Sequence, residues 1–220
     1  MIATPWPRTV GVAPVRLSGW LAGFAERHGA TEAELGEEWL TLHAADGAAA
    51  RVRLVWGSIP SDDPLVADPL AAVVALTNRP YRVGALIVRR KAHAVGVFEG
   101  ERLVAGRHGS HYVQGRTKAG GWSQQRYARR RANQADRSFE AAGRDAADLL
   151  LPELGRLDAL ALGGDGAAVA SVLALPELAE LRNSTLRRLG PFGVPDPNAR
   201  VLAEFGALFR KVPIELNELA

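Results

Sequence analysis

The sequence predicts an α/β fold built on a mixed sheet, with a helix and a β-hairpin as an N-terminal extension. Three observations predict it. Residues 81–108 hold three strand-like runs in succession. The stripe Ala128, Ala132, Ala135, Phe139, Ala142, Ala146 and Leu149 repeats at spacings of 4, 3, 4, 3, 4 and 3, the period of a long amphipathic helix. Beyond it, strand-like and helix-like segments alternate. The order β-β-β-loop-α-β-α-β-α belongs to an α/β layer with a mixed sheet. At 220 residues and 47% hydrophobic composition, the chain can bury enough core to fold without a disulfide or a metal.

Residues 1–15 contain three prolines and little pattern, and are expected to form a ragged arm. Leu17, Trp20, Leu21 and Phe24 fall at helical spacing within Val15–His28. Trp39, Thr41 and His43 then alternate with Leu40 and Leu42. Asp46-Gly47 supplies a tight turn, and Val52, Leu54 and Trp56 alternate on the return, which is a hairpin pattern. The Pro/Asp-rich stretch that follows reads as a connector. The expected organisation is therefore an arm, helix and hairpin over 1–60, a connector over 61–69 and a second domain over 70–220.

The second domain opens with a short helix that has Pro69 in its first turn. The three strands of 81–108 follow, two of them joined around Glu99-Gly100-Glu101. Next comes a polar, basic, glycine-rich loop. Ser123 is placed to cap the long helix, and Pro152 marks its end. From Gln124 to Leu151 that helix would measure about 42 Å. LDALALGGDG reads as a buried strand entering a glycine turn. GAAVASVLALPELAELR reads as one or two helices, TLRRLG as a last strand, and DPNARVLAEFGALF as a helix capped by Asp196.

Charge is unevenly spread. Between Arg102 and Ala135 there is no Asp or Glu, and the window carries seven Arg and one Lys. It holds a charge of +8 in a chain of net +3, which leaves the other 186 residues at −5. A concentrated basic block on an otherwise acidic chain is the footprint of a polyanionic partner, and the commonest such partner is nucleic acid. The abundance of Arg over Lys, 24 to 3, accounts for the residue type but not for the missing carboxylates.

With no cysteine, the chain can form no disulfide, thiolate zinc site, iron–sulfur cluster or cysteine nucleophile. The N-terminus has no apolar core of signal-peptide length, and no apolar run approaches the ~20 residues of a membrane span. A cytoplasmic protein with no membrane partner is expected. Of the five histidines only His108 and His111 are neighbours, and they lie amid positive charge, so no metal site and no cofactor are expected. There is no Gly-x-Ser-x-Gly elbow, and Gly163-Gly164-Asp165-Gly166 lacks the Lys-Ser/Thr of a phosphate loop, so it reads as a strand-to-helix turn.

The loop around Gln114–Gln125 holds the remaining chemistry. Adjacent Gly120 and Gly121 free the backbone for close approach to another surface. Arg116, Lys118, Arg126, Arg129, Arg130 and Arg131 can grip phosphates on either side. A glutamine amide can orient water or a ligand without carrying charge. From these residues alone, two readings stay open: a loop that presents a glutamine for chemistry, and a basic RNA-binding loop with none.

The run Gly120-Gly121-Trp122-Ser123-Gln124-Gln125 followed by Arg126-Tyr127-Ala128-Arg129-Arg130-Arg131 resembles the catalytic loop and following helix of eukaryotic and archaeal class 1 peptide-chain release factors. Their Gly-Gly-Gln is interrupted here by Trp122 and Ser123. Gly121-Trp122-Ser123-Gln124 is closer to the Gly-x-x-Gln loop of the Vms-like release factors, in their actinobacterial branch. The resemblance covers roughly residues 80–205. It implies a ribonuclease-H-like release-factor catalytic domain and a peptidyl-tRNA hydrolase that releases nascent chains on stalled or split ribosomes. It implies catalytic roles for Gln124, or Gln125 one residue on, and for Gly120 and Gly121. It implies RNA contacts by Arg116, Lys118, Arg126, Arg129, Arg130 and Arg131, with Trp122 and Ser123 beside them. The partners implied are the large ribosomal subunit and peptidyl-tRNA, and nothing demands more than a monomer. No codon-reading domain is seen. Two other readings are a ribosome- or RNA-binding protein of the same fold without activity, and a metal-dependent nuclease, for which the basic block supplies no carboxylates.

Overall fold

The computed structural model describes residues 6–60, 62–110 and 123–220, with the backbone alone for residues 65 and 123–136. In chain order its elements are β1 (Arg8–Val12), α1 (Leu17–His28), β2 (Thr31–Leu35), β3 (Trp39–Ala44), β4 (Ala49–Arg53), α2 (Pro69–Asn78), β5 (Arg82–Arg89), β6 (Ala92–Glu99), β7 (Arg102–Ser110), α3 (Ser123–Leu150), β8 (Ala159–Gly164), α4 (Gly166–Leu173), α5 (Ala179–Asn183), β9 (Arg187–Phe192), α6 (Ala199–Phe209) and β10 (Val212–Leu216). They divide into two compact units, one of residues 1–79 with 210–220 and the other of residues 80–209.

The first unit is an antiparallel sheet in the order β1-β10-β4-β3-β2. The hairpin expected over Trp39–Trp56 forms its centre as β3 and β4. The Asp46-Gly47 turn stands as read: Gly47 has φ +90° and the Asp46 carboxylate accepts from the Ala48 N–H at 2.9 Å. The ragged arm expected at the N-terminus is, over Arg8–Val12, an edge strand paired with β10. One sheet face is apolar, with Leu40, Leu42, Val52, Ile214 and Leu216 packed beneath Leu17, Leu21 and Phe24 of α1 and Val73 of α2. On the opposite face the Arg51 guanidinium lies over Trp39 at 4.2 Å and over Trp6 at 4.8 Å. The helix expected to begin the second domain, α2, is capped by Asp68, whose carboxylate accepts from the Ala71 N–H. It belongs to the first unit, as does β10.

The second unit has a five-stranded mixed sheet in the order β7-β6-β5-β8-β9. The meander β5-β6-β7 is antiparallel, and β8 and β9 run parallel to β5. Numbered within the unit this order is 3-2-1-4-5 with strand 2 reversed, the ribonuclease-H-like arrangement expected of the α/β domain. β5 and β6 are buried along almost their whole length, as strands covered on both faces must be. On one face, Leu86, Val88, Val95 and Val97 pack against Ala142, Ala146 and Leu150 of α3 and Val169 and Val172 of α4. On the other lies α6. Its Phe205 and Phe209 meet Phe192 and Phe98 edge to face at 5.8 Å and 5.2 Å. The α6 cap is Asn198, which accepts from the Val201 N–H at 3.0 Å. Asp196, the expected cap, instead lies 3.4 Å from Arg89.

Candidate functional site

The glycine-rich segment is bounded by the end of β7 at Ser110 and the start of α3 at Ser123. Gly120, Gly121, Trp122, Arg116, Lys118 and His111 fall outside the described residues. Ser123, expected as the cap, is the first residue of α3, so Gln124 and Gln125 occupy its first turn. Arg126, Arg129, Arg130 and Arg131 occupy the next two turns. α3 has no acidic residue in its first turn. Cations at the positive end of a helix dipole are disfavoured within the chain, by about 0.3–1 kcal/mol each when exposed. Arg126 stands at that end, and Arg129, Arg130 and Arg131 follow beyond the first turn, where the dipole effect has fallen away.

What fixes α3 is found further along it. Of the expected stripe in the described half of the helix, Ala142 and Ala146 are buried, while Phe139 and Leu149 are half-buried and their neighbours Ser138 and Leu150 take the buried places. Beside it, Asp145 bonds the His93 ring of β6 at 2.8 Å and the Arg107 guanidinium of β7 at 3.3 Å. Arg107 also donates to Asp148 at 2.8 Å. Burial pushes the Asp145 carboxyl up, but the His93 and Arg107 contacts outweigh it and hold the group below the usual carboxylate range. The same bonds, that to Asp148 foremost, raise Arg107. His93 is 2% exposed. Its ring lies under Gly109, where a Cβ would come within 2.5 Å of it. A side chain at that position would therefore separate β7 from the buried ring just before the segment departs. Asp145 lies about 32 Å along the helix axis from Gln124, so the clamp holds the far end of the lever that carries the glutamines.

This clamp was not among the residues expected to act. Its readable signal is the alternation in β6, where His93 falls on the same face as Val95 and Val97, the face that packs on α3. The structure also divides the basic block. Arg102 is paired with Glu99 at 2.6 Å and Arg107 with Asp145 and Asp148. These two cations are neutralised within the chain, and the other six of the block lie between residues 116 and 131 of the sequence.

Other candidate chemistry falls away. Asp165 caps α4, its carboxylate accepting from the Ala167 and Ala168 N–H groups at 2.9 and 3.1 Å. The turn at Gly163–Gly166 therefore fills its own helix N-terminus. Among the described residues no group of three or more His, Cys, Asp or Glu side chains could hold a metal ion. No helix of the described residues is long and apolar enough to cross a membrane.

Comparison with known proteins gives three findings. The model of the family described as Actinobacteria/chloroflexi VLRF1 release factor matches residues 81–215, more than half of the chain. A curated relative, peptide chain release factor subunit 1 of Aeropyrum pernix, is 33% identical over 110 residues, which are 49% of this chain and 29% of that protein. The chain thus spans less than a third of that relative's length. Among solved structures, an archaeal translation termination factor, aRF1, aligns with TM-score 0.42 and 18% identity over 62% of this chain and 38% of its own. The Vms1 mitochondrial localization core aligns with TM-score 0.44 and 9% identity over 80% and 75%.

Proposed function

This chain belongs to the Actinobacteria/chloroflexi VLRF1 release factor family, and from that membership we propose that it is a peptidyl-tRNA hydrolase acting on ribosomal complexes. A release-factor family implies a role in translation at the ribosome. The finer reading is that the chain cleaves the ester between a nascent peptide and the tRNA 3′ end on stalled or split large subunits. It works as a monomer in the cytoplasm and uses no metal or cofactor.

One observation carries the reading: Gly121-Trp122-Ser123-Gln124 runs directly into a helix whose first turns hold Arg126, Arg129, Arg130 and Arg131, within the stretch that the family model matches. Gln124 places the attacking water, and its amide stabilises the developing oxyanion. Gly120 and Gly121 let the backbone enter the peptidyl transferase centre. The four arginines, with Arg116, Lys118, Trp122 and Ser123, contact ribosomal or transfer RNA. Phosphates supply the counter-charge to these cations. Glutamine does not titrate, so the rate gain comes from positioning rather than proton transfer.

The test is release of labelled peptide from peptidyl-tRNA held on purified large subunits, with wild type beside Gln124→Ala and Gln125→Ala and a chelator in parallel. Gln124→Ala is expected to lower release by at least about 100-fold while subunit binding is retained, and chelator to have no effect. Loss in Gln125→Ala alone moves the catalytic role one residue on. Binding without release by the wild type overturns the hydrolase in favour of a ribosome-binding protein without activity.

A further inference from the structure

The first unit carries a groove of about 720 Å³ lined by Gly11, Val12, Ala13, Val15, Arg16, Ser18, Gly19, Trp20 and Lys211. Its chemistry contrasts with the rest of the chain outside the basic block, which is net acidic. Arg16 and Lys211 are both exposed, no carboxylate lines the groove, and among the described residues neither cation forms an ion pair. The Lys211 stem is laid over Gly11, where a Cβ would come within 3.2 Å of the Lys211 Cδ. Trp20 is half-buried and stacked on Phe24 at 5.7 Å between ring centroids with the planes 20° apart, and Phe24 is itself buried. The indole is thus held in place before any ligand arrives. Val15, 79% exposed, is the most exposed large apolar side chain described and stands in the same groove.

Two uncompensated cations beside a fixed aromatic ring and an exposed aliphatic surface match one kind of ligand: a unit with a flat π face and a nearby anion. We propose that this groove binds a nucleotide of single-stranded RNA, its phosphate between Arg16 and Lys211 and its base against Trp20. Base–aromatic stacking and phosphate contacts are the two contributions that hold single strands without sequence preference. The groove belongs to the first unit, whereas the glycine-rich segment lies in the sequence of the second, so the first unit gains an RNA contact of its own. It does not depend on hydrolysis, so it stands or falls apart from the release assay.

The experiment uses the full chain and a short fluorescein-labelled uridine-containing oligonucleotide, with anisotropy read across a salt series and ultraviolet cross-links mapped by mass spectrometry. A cross-link on the peptide bearing Trp20 is expected. Arg16→Gln with Lys211→Gln is expected to weaken binding by about tenfold at low salt. It should also reduce the slope of log affinity against log salt by about 0.7, the value for one single-strand phosphate neutralised. Arg16→Lys, with Lys211 kept, is expected to retain most of the affinity. Arg129→Gln with Arg130→Gln is expected to weaken binding but preserve the Trp20 cross-link. Unchanged affinity and slope in the Arg16/Lys211 variant, or cross-links confined to residues 102–131, overturns the proposal. Both altered side chains are exposed, and circular dichroism verifies that the variant is folded.

Discussion

Asp145 shows how much one side chain can depend on partners far away in the chain. His93 and Arg107 reach it from two strands, at 2.8 and 3.3 Å. The carboxyl is held below its usual range in the folded state, whereas an aspartate in an unfolded chain keeps the ordinary value of about 3.9. Between those two values the unfolded state binds the extra proton, so stability is present above the unfolded value and is lost as pH falls through the folded one. Urea midpoints are therefore expected to drop as pH is lowered from about 5 to about 3, more shallowly in Asp145→Asn than in wild type. Glu153 beside Arg82 is lowered as well, so the variant flattens the profile without abolishing it. Asp145→Ala at neutral pH should cost about 1–3 kcal/mol, because the buried His93 ring loses its acceptor. An equal midpoint for wild type and Asp145→Ala would remove the clamp from the account. In the sequence, alternation sets His93 on one face with Val95 and Val97, but a partner 52 residues away is invisible to any local pattern. The basic segment is the opposite case, legible because composition alone sets it apart.

Elements that draw their stability from their own neighbourhood were readable as such. The meander β5-β6-β7, the long helix α3 and the β8-to-α4 turn all follow from alternation, period and a capping aspartate. Which sheet face a helix covers is set by details too small for a pattern, and α6 illustrates it. At Gly206 a Cβ would come within 2.3 Å of the Glu101 carbonyl oxygen, so α6 sits backbone-close on the β6–β7 turn because that position has no side chain. A carbonyl cannot swing aside as a flexible side chain does. Gly206→Ala is therefore expected to destabilise by about 1–3 kcal/mol despite alanine's better helix propensity. Thermal melts decide it: a raised midpoint would mean that propensity wins and the close approach is slack. The Asn198 cap is a smaller lesson of the same kind, since Asp196 and Asn198 are both good caps by residue type and the sequence alone does not choose between them.

At the scale of the molecule, the chain makes part of one sheet, then a complete second unit, then the strand that joins β1 to β4. β1, β2 and β10 are five residues each, and β10 contains a proline. None reads as a strand locally, because each exists through its partners; Ala49 and Asn217, which bond each other, are 168 residues apart. Ile214 is fully buried between β1 and β4. Ile214→Asp should cost more than about 4 kcal/mol. Amide exchange should speed in β1 and β4 while β5, β6 and β8 keep their protection. Uniform loss across both units would show a single cooperative fold instead. The late return of β10 also bears on how this protein is born. At about 5–20 residues per second, roughly 10–30 s separate the synthesis of β4 from that of its neighbour in the sheet. Through that interval the β4 edge is bare while the inserted unit can already close on itself, so a newly made copy spends its first moments half-finished beside the ribosome that made it.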